Sequence, residues 1–351
     1  MTLKVGLTYN LKKKPLSNEN VPEDFYAEFD DIETVDAMVT ALREGGCKVI
    51  KIEADEDAYN KIRRLKPDII FNIAEGLRGE SRESHIPAVL EMLGIPYTGS
   101  GPLTLAIKLN KAVTHQILSA NGVPSPRFQV FKTSDERLDK KLEFPLVVKP
   151  LAEGSSKGIR NNSLVKDEPS LRKQVSWIIN TYKQPALVVE FLPGREFTVG
   201  LIGNDEPVVL PIVEILFDKL PSGANPIYSY EAKWVWDTPE KPLEMFRCPA
   251  DIPQGLEGEI KRVAVKTFKV LGCRDMCRVD IRLDKNGKPN VLEANPLPGM
   301  IPDPKAHSCM PEAAYAAGFT YNQLICTILW QALKRYNMQH LFKNRSLVKI
   351  P

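Results

Sequence analysis

The sequence predicts an α/β unit on a doubly wound parallel sheet, followed by α+β structure. Up to Ile73, short apolar runs alternate with helical patterns at the spacing of strand-helix-strand units. From Leu187 to Leu216, apolar runs follow one another with no helical pattern between them. Late in the chain, Cys277 to Met300 (CRVDIRLDKNGKPNVLEANPLPGM) reads as a β-hairpin, because the turn chemistry of Asp284 to Pro289 separates two strand-like runs.

Taken in order, residues 3–8 are a strand, and Ile32 to Glu44 a helix with apolar residues at 32, 35, 38, 39 and 42 on one face. Lys48 to Ile52 is a second strand, Ala58 to Leu65 a helix, and Asp68 to Ile73 a buried strand (DIIFNI). The polar, glycine-bearing loop Glu75 to Glu83 follows at that strand's carboxyl end, where open α/β sheets bind ligands. Ile86 to Leu93 and Leu103 to Ala120 are helices, and Pro124 with Pro126 breaks the pattern as an interdomain linker. Phe128 to Phe131, Leu146 to Lys149, Leu187 to Phe191, Glu196 to Ile202 and residues 208–216 are strands. Residues 217–246 carry Pro, Gly, Ser and aromatic side chains without periodicity, and a loop of that length in a compact domain has a function or lacks order. Leu256 to Leu271 is a helix, Ala313 to Arg335 one or two more, and the last dozen residues a tail.

A length of 351 residues allows two or three domains with cores of their own. With 43% hydrophobic and 26% charged residues the composition is that of a soluble globular protein. A net charge of +3 spread without basic blocks argues against nucleic acid as a partner, and Lys12 to Lys14 reads as a solvated loop. No apolar run approaches the roughly 20 residues of a membrane span, and there is no signal-peptide pattern, so a cytoplasmic location is expected. The six cysteines are scattered and expected as free thiols; Cys273 and Cys277, spaced C-x3-C with no nearby His, do not suggest zinc.

The hairpin puts Asp280 on one strand and Glu293 and Asn295 at the end of the other. Two carboxylates and a carboxamide form an all-oxygen donor set suited to Mg²⁺ shared with nucleotide phosphates. The stretch Glu153 to Gly158 (EGSSKG) offers small residues whose backbone N–H groups can cradle phosphate, supported by Ser hydroxyls and Lys157.

The segments GIPYTGSGPLTLAIKLNK, PLVVKPLAEGSSKGI, VVEFLPGREFTVGLIG, YSYEAKW, LGCRDMCRVDIRL and VLEANPLPGM, in this order over residues 70–330, resemble the ATP-grasp superfamily and within it the D-alanine–D-alanine ligase family. The resemblance implies a three-domain ATP-grasp fold with an N-terminal parallel-sheet (pre-ATP-grasp) domain. Limits follow at 1–105, 106–186 for the small lobe, 187–340 for the large lobe, and 341–351 for a tail. It implies ATP-dependent amide formation through an acylphosphate, with ATP and Mg²⁺, two ions in number, as cofactors and Mn²⁺ as a substitute. Lys111 and Lys149 match lysines on the ATP phosphates. Glu153, Gly154, Ser155 and Ser156 match the closing loop, with Ser155 also near the acceptor. Glu190, Phe191 and Leu192 match the adenine hinge, and Glu196 the ribose carboxylate. Lys233 matches the lysine of the long loop, Arg278 the oxyanion arginine, and Asp280, Glu293 and Asn295 the metal ligands. A homodimer is implied by the habit of relatives of this fold.

The departures lie where the family binds D-alanine. The first strand leads into Tyr9-Asn-Leu-Lys-Lys-Lys14 with no glutamate in register. Glu75 stands at the position of a histidine in His-Gly-x-x-Gly-Glu-Asp-Gly, Trp234 replaces a tyrosine, and Pro302 to Ser308 replaces a serine-bearing segment. The expected substrates are therefore a small carboxylic acid and an amine, amino acids or a natural-product intermediate, other than plain D-Ala with D-Ala. Glu75, Arg78, Glu80, Arg82, Trp234, Lys305 and His307 are the candidate substrate contacts. Alternatives are a genuine D-alanine–D-alanine or D-alanine–D-lactate ligase, a ligase acting on a peptide end, and a nucleotide-binding module without chemistry.

Overall fold

The computed structural model describes residues 2–13, 21–238, 241–306 and 308–349. The chain opens with β1 (Lys4–Tyr9), α1 (Ile32–Glu44), β2 (Lys48–Glu53), α2 (Ala58–Leu65) and β3 (Ile69–Asn72). β1 lies between β2 and β3 and pairs in parallel with both, as expected of strands joined by crossover helices. Then come α3 (His85–Leu93), α4 (Pro102–Leu109) and α5 (Lys111–Ala120). The single helix expected over Leu103 to Ala120 is in fact these two. Asn110 adopts an extended conformation (ψ 97°), and its side chain accepts the Val113 N–H as the cap of α5. An asparagine at a cap satisfies an otherwise orphaned donor, which stabilises a new start over a continuous helix.

A second sheet, ordered β4-β7-β5-β6, holds β4 (Phe128–Phe131), β5 (Leu146–Pro150), β6 (Leu164–Val165) and, after α6 (Glu168–Tyr182), β7 (Ala186–Glu190). The division expected at residue 186 thus cuts into β7, which hydrogen-bonds along β5 over five residue pairs. The third sheet, ordered β11-β10-β8-β12-β13, comprises β8 (Glu196–Gly203), β9 (Val208–Val209) paired to β8, β10 (Val213–Ile215) and β11 (Phe246–Arg247). After α7 (Gln254–Val270) it gains β12 (Asp275–Leu283) and β13 (Pro289–Asn295). The strand expected over 208–216 is split into β9 and β10. Pro211 lies between them and has no N–H to give a ladder.

α8 (Cys309–Ala316) and α9 (Tyr321–Arg335) return the chain to its beginning. Leu324, Ile325, Ile328, Leu329 and Leu333 of α9 share one core with Val35, Met38, Val39 and Leu42 of α1 and with Ile202, Val213 and Met276 of the third sheet. Residues 341–349 are not a loose tail. Phe342 is 2% exposed and meets the Trp330 ring edge-on at 6.2 Å. No helix among the described residues is long and apolar enough to cross a membrane.

Candidate active site

The register of β12 with β13 sets Arg278 opposite Asn295 and Asp280 opposite Glu293. Alternate strand residues share a face, so all four side chains converge on one patch of the sheet. Arg278 donates from Nε and Nη2 to the two oxygens of Asp280 at 3.0 and 2.9 Å. Asn295 Nδ2 and Thr198 Oγ1 donate to the same carboxylate at 3.0 and 2.6 Å.

Three lysines stand over this patch. Lys111, first residue of α5 because Asn110 starts the helix there, pairs with Glu293 at 3.1 Å and donates to the Glu153 carbonyl. Burial alone would raise the Glu293 carboxyl, but Lys111, Lys149 and Lys108 together hold it down at about 2. Lys149 on β5 is pushed down to about 8 by burial, with Lys111 opposing its charge and Glu293 supporting it. Lys233 is also pushed down to about 8, by burial and by Arg278. It sits in a π-helical turn, Ala232–Trp236, a local form that recurs at functional sites. At both ammonium groups burial outweighs Glu293 and Asp280, so each is short of counter-charge. Phosphate would supply that charge, and the oxygens of Asp280, Glu293 and Asn295 suit a hard divalent cation.

The loop Glu153 to Gly158 arches over the lysines. Ser155 and Ser156 both take left-handed backbone conformations (φ 48° and 60°), uncommon for residues with a side chain and a mark of strain held by surroundings. The surroundings come from residues 21–30. This segment pairs in parallel with the residues just after β1, where Asp30 N donates to Asn10 O at 3.0 Å and Lys12 N to Asp30 O at 2.9 Å. From it Asp24 accepts the Gly158 N–H at 2.9 Å and the Tyr182 hydroxyl at 2.7 Å. Glu28 accepts Arg82 at 2.6 Å and Lys157 at 2.8 Å, while the same two cations bind Glu153 at 3.0 and 2.6 Å.

The remaining wall is acidic. Glu75 and Asp30 line the cavity with Glu28, and Glu83 lies behind them paired to Lys108 at 2.9 Å. Burial, then Glu83 and Glu28, raise the Glu75 carboxyl well above the usual range. Burial and Asp31 bring Asp30 up to about 7. Gly76, whose φ is +79°, lets the loop pass against the Arg82 carbonyl while its N–H reaches Asn10 Oδ1 at 2.9 Å.

One cavity is lined by Lys111, Lys149, Glu153, Gly154, Ser155, Ser156, Glu190, Phe191, Leu192, Glu196, Lys233, Arg278, Asp280, Glu293 and Asn295, so every residue matched to nucleotide, metal or acyl chemistry meets there. Glu75 and Trp234 join them. The Trp234 indole donates to the Ser155 carbonyl at 3.2 Å, with Lys12 and Lys233 over its ring at 4.5 and 4.9 Å. Lys12 is thus engaged rather than simply solvated. Arg78 and Glu80 line a separate cavity with Arg82, which is committed to Glu28 and Glu153. Lys305 is exposed and does not line the main cavity, although Ala306 and Ser308 do. Tyr9 is 7% exposed in the core, and His307 lies outside the described residues. Sequence reasoning missed Glu28, Asp30, Lys108, Arg282 and Cys309. Arg282 pairs with Glu196 at 3.0 Å and lies over the Phe191 ring at 4.7 Å. Its place next to Asp280 on the hairpin was a usable signal; nothing local marked Glu28, which reaches the site only through the return of residues 21–30.

A family model described as the D-Ala D-Ala ligase C-terminus matches residues 117–330. The chain belongs to the D-alanine–D-alanine ligase family. This ligase is ATP-dependent and ADP-forming. It is 39% identical over 310 residues to uncharacterized protein y4sG of Sinorhizobium fredii (strain NBRC 101917 / NGR234), covering 86% of this chain and 88% of that protein. It is 35% identical over 304 residues to a D-alanine–D-alanine ligase of Pelotomaculum thermopropionicum, covering 84% and 89%. Its fold matches a crystal structure of the Bacillus anthracis D-alanine–D-alanine ligase complexed with ATP, with TM-score 0.71, 23% identity and coverage of 96% and 99%. It likewise matches the VanG D-Ala:D-Ser ligase of Enterococcus faecalis, with TM-score 0.70, 21% identity and coverage of 95% and 100%. The three-domain ATP-grasp fold with its parallel-sheet N-terminal unit is the one expected from sequence.

Proposed function

We propose that this ligase joins a carboxylic acid other than D-alanine to an amine through an acylphosphate, in the cytoplasm where ATP is supplied. The observation that carries the reading is the contrast within one cavity. The phosphate-side residues are a complete cationic and all-oxygen set, while Glu75, Asp30 and Glu28 make the opposite wall acidic. A pocket built of buried charged groups discriminates strongly against ligands that leave them unpaired.

In this reading Lys111, Lys149 and Lys233 hold the phosphates, and the loop from Glu153 to Ser156 covers them. Phe191 and its neighbours Glu190 and Leu192 cradle the base, and Glu196 takes the ribose. Asp280, Glu293 and Asn295 would hold divalent metal, two Mg²⁺ in number, whose chemistry would be to neutralise phosphate charge. A carboxylate oxygen attacks the γ-phosphorus and the bond to ADP breaks. The amine nitrogen then attacks the carbonyl carbon, loses a proton, and inorganic phosphate leaves. Arg278, held by Asp280, points its guanidinium at the oxyanion that develops. Since phosphoryl transfer needs positioning and charge neutralisation above all, this set suffices.

The test is phosphate release from ATP and Mg²⁺ across D- and L-amino acids and simple carboxylates. Release that needs an added carboxylate and amine, and is weak with D-alanine, is expected. Strong turnover with D-alanine alone would overturn the substrate reading.

A further inference from the structure

The wall contributed by the N-terminal elements carries more carboxylate than the protein neutralises. Glu28, Glu75 and Glu83 bring carboxylate oxygens within 4.8 Å of one another. Asp30 and Glu153 line the same cavity as Glu28 and Glu75. Among the described residues, the cations in ion-pair contact with these five are Lys108, on Glu83, and Arg82 and Lys157, each on both Glu28 and Glu153. Five carboxylates thus share three ion-paired cations, and the two without an ion pair are Glu75, which feels Lys108, and Asp30, which feels Lys12.

A second observation points the same way. Glu28 Oε2 and Glu83 Oε1 have no hydrogen-bond partner, in side chains only 2% and 0% exposed. Such oxygens cost free energy when left unmade, and a buried unpaired carboxylate costs more. The free oxygen of Glu28 faces the phosphate loop, since a Cβ on Gly154 would lie 2.7 Å from it. A group seated there sits beside the loop that covers the phosphates, where the acyl substrate must be. Glu28 Oε1 is already taken by Arg82 and Lys157, so N–H donors fit the remaining oxygens better than a metal ion's full shell.

We propose that the acid activated by this ligase is dicationic, a diamino or guanidino acid. One cationic group is seated at Glu28 and Glu75, in front of Glu83, and the other at Asp30. This rests on the ligase reading above and names its substrate class. Burial together with Glu83 and Glu28 holds the Glu75 carboxyl high in the free protein, as expected of a group waiting for a cation.

Calorimetric titration of the full chain with Mg²⁺ and a non-hydrolysable ATP analogue tests it. 2,4-Diaminobutyrate, ornithine and lysine are each compared with 2-aminobutyrate, norvaline and norleucine of the same skeleton, with arginine added, all in D and L forms. At least one basic acid binds about tenfold or more tighter than its neutral counterpart, and Glu75→Gln and Asp30→Asn each remove that advantage without lowering the unfolding temperature. Basic acids binding no tighter than neutral ones, absent binding included, overturn the proposal. So does Mg²⁺ binding alone that vanishes in Glu75→Gln, which gives the cluster to a metal. Trapping with hydroxylamine keeps the two readings apart: a basic acid that binds but yields no ATP-dependent hydroxamate leaves the cationic site standing and sinks the ligase chemistry.

Discussion

Lys149 and Lys233 set the clearest pH dependence at the level of single residues. Both are lowered to about 8 in the nucleotide-free protein, chiefly by burial. In the proposed function the charged form binds phosphate, and below 8 both are charged; as pH rises through 8 the charge is lost. ATP affinity should therefore fall between pH 7 and 9, with proton uptake on binding above pH 8. Calorimetry in two buffers of different ionisation enthalpy measures that uptake, and proton-neutral binding at pH 8 would contradict it. Arg278→Ala should lower kcat by about a hundredfold or more with a small change in the KM for ATP, the mark of a group acting on developing charge. Because Arg278 also anchors Asp280, Arg278→Lys serves as the comparison and should recover part of the loss.

Among the elements, the loop Glu153 to Gly158 depends on a segment far from it in sequence. Asp24, whose side chain is 0% exposed, accepts from Gly158 N and from the Tyr182 hydroxyl. Asp24→Ala leaves those donors without their acceptor, a cost of about 1–3 kcal/mol concentrated on the closed loop. Amide hydrogen exchange over residues 154–158 should quicken and the KM for ATP should rise, while exchange in the third sheet stays unchanged. Equal protection of the loop in both proteins would show that the closed form does not need this strap. The start of α5 at Asn110 is the other element that builds the site, because it sets Lys111 over Glu293.

The whole molecule is tied together by α9. Arg335 donates to Asp275 at 2.7 Å and to the Tyr97 carbonyl at 2.8 Å, and Asp275 in turn accepts Gly99 N at 2.8 Å. This joins the last helix, the third sheet and the turn that leads into α4. Asp275 is 0% exposed, so Arg335→Ala strands a buried carboxylate and should cost about 3–5 kcal/mol in urea unfolding. Because one core spans α1, α9 and the third sheet, the loss should appear as one shifted transition, and separate melting of the N-terminal unit would refute that coupling.

By itself the sequence determined what is local or periodic. The face of α1, the bounds of α2 and the hairpin that carries Asp280 and Glu293 on neighbouring strands were all legible, since a helical stripe or a strand-turn-strand pattern is written within a few residues; the register shift between Asp280 and Ile281 that sets Asp280 opposite Glu293 was not. The residues matched to nucleotide and metal, which meet in one cavity, could be picked out too, because each sits inside a contiguous motif on one strand or loop. Tertiary structure alone decided the rest: the break at Asn110, the membership of β7 in the second sheet, the docking of Phe342 and the acidic wall. Glu28 reaches Lys157 across 129 residues and Arg82 across 54, and no local pattern records such a meeting. Burial then raised the carboxyls of Glu75 and Asp30, an effect of environment that a string of residues does not carry.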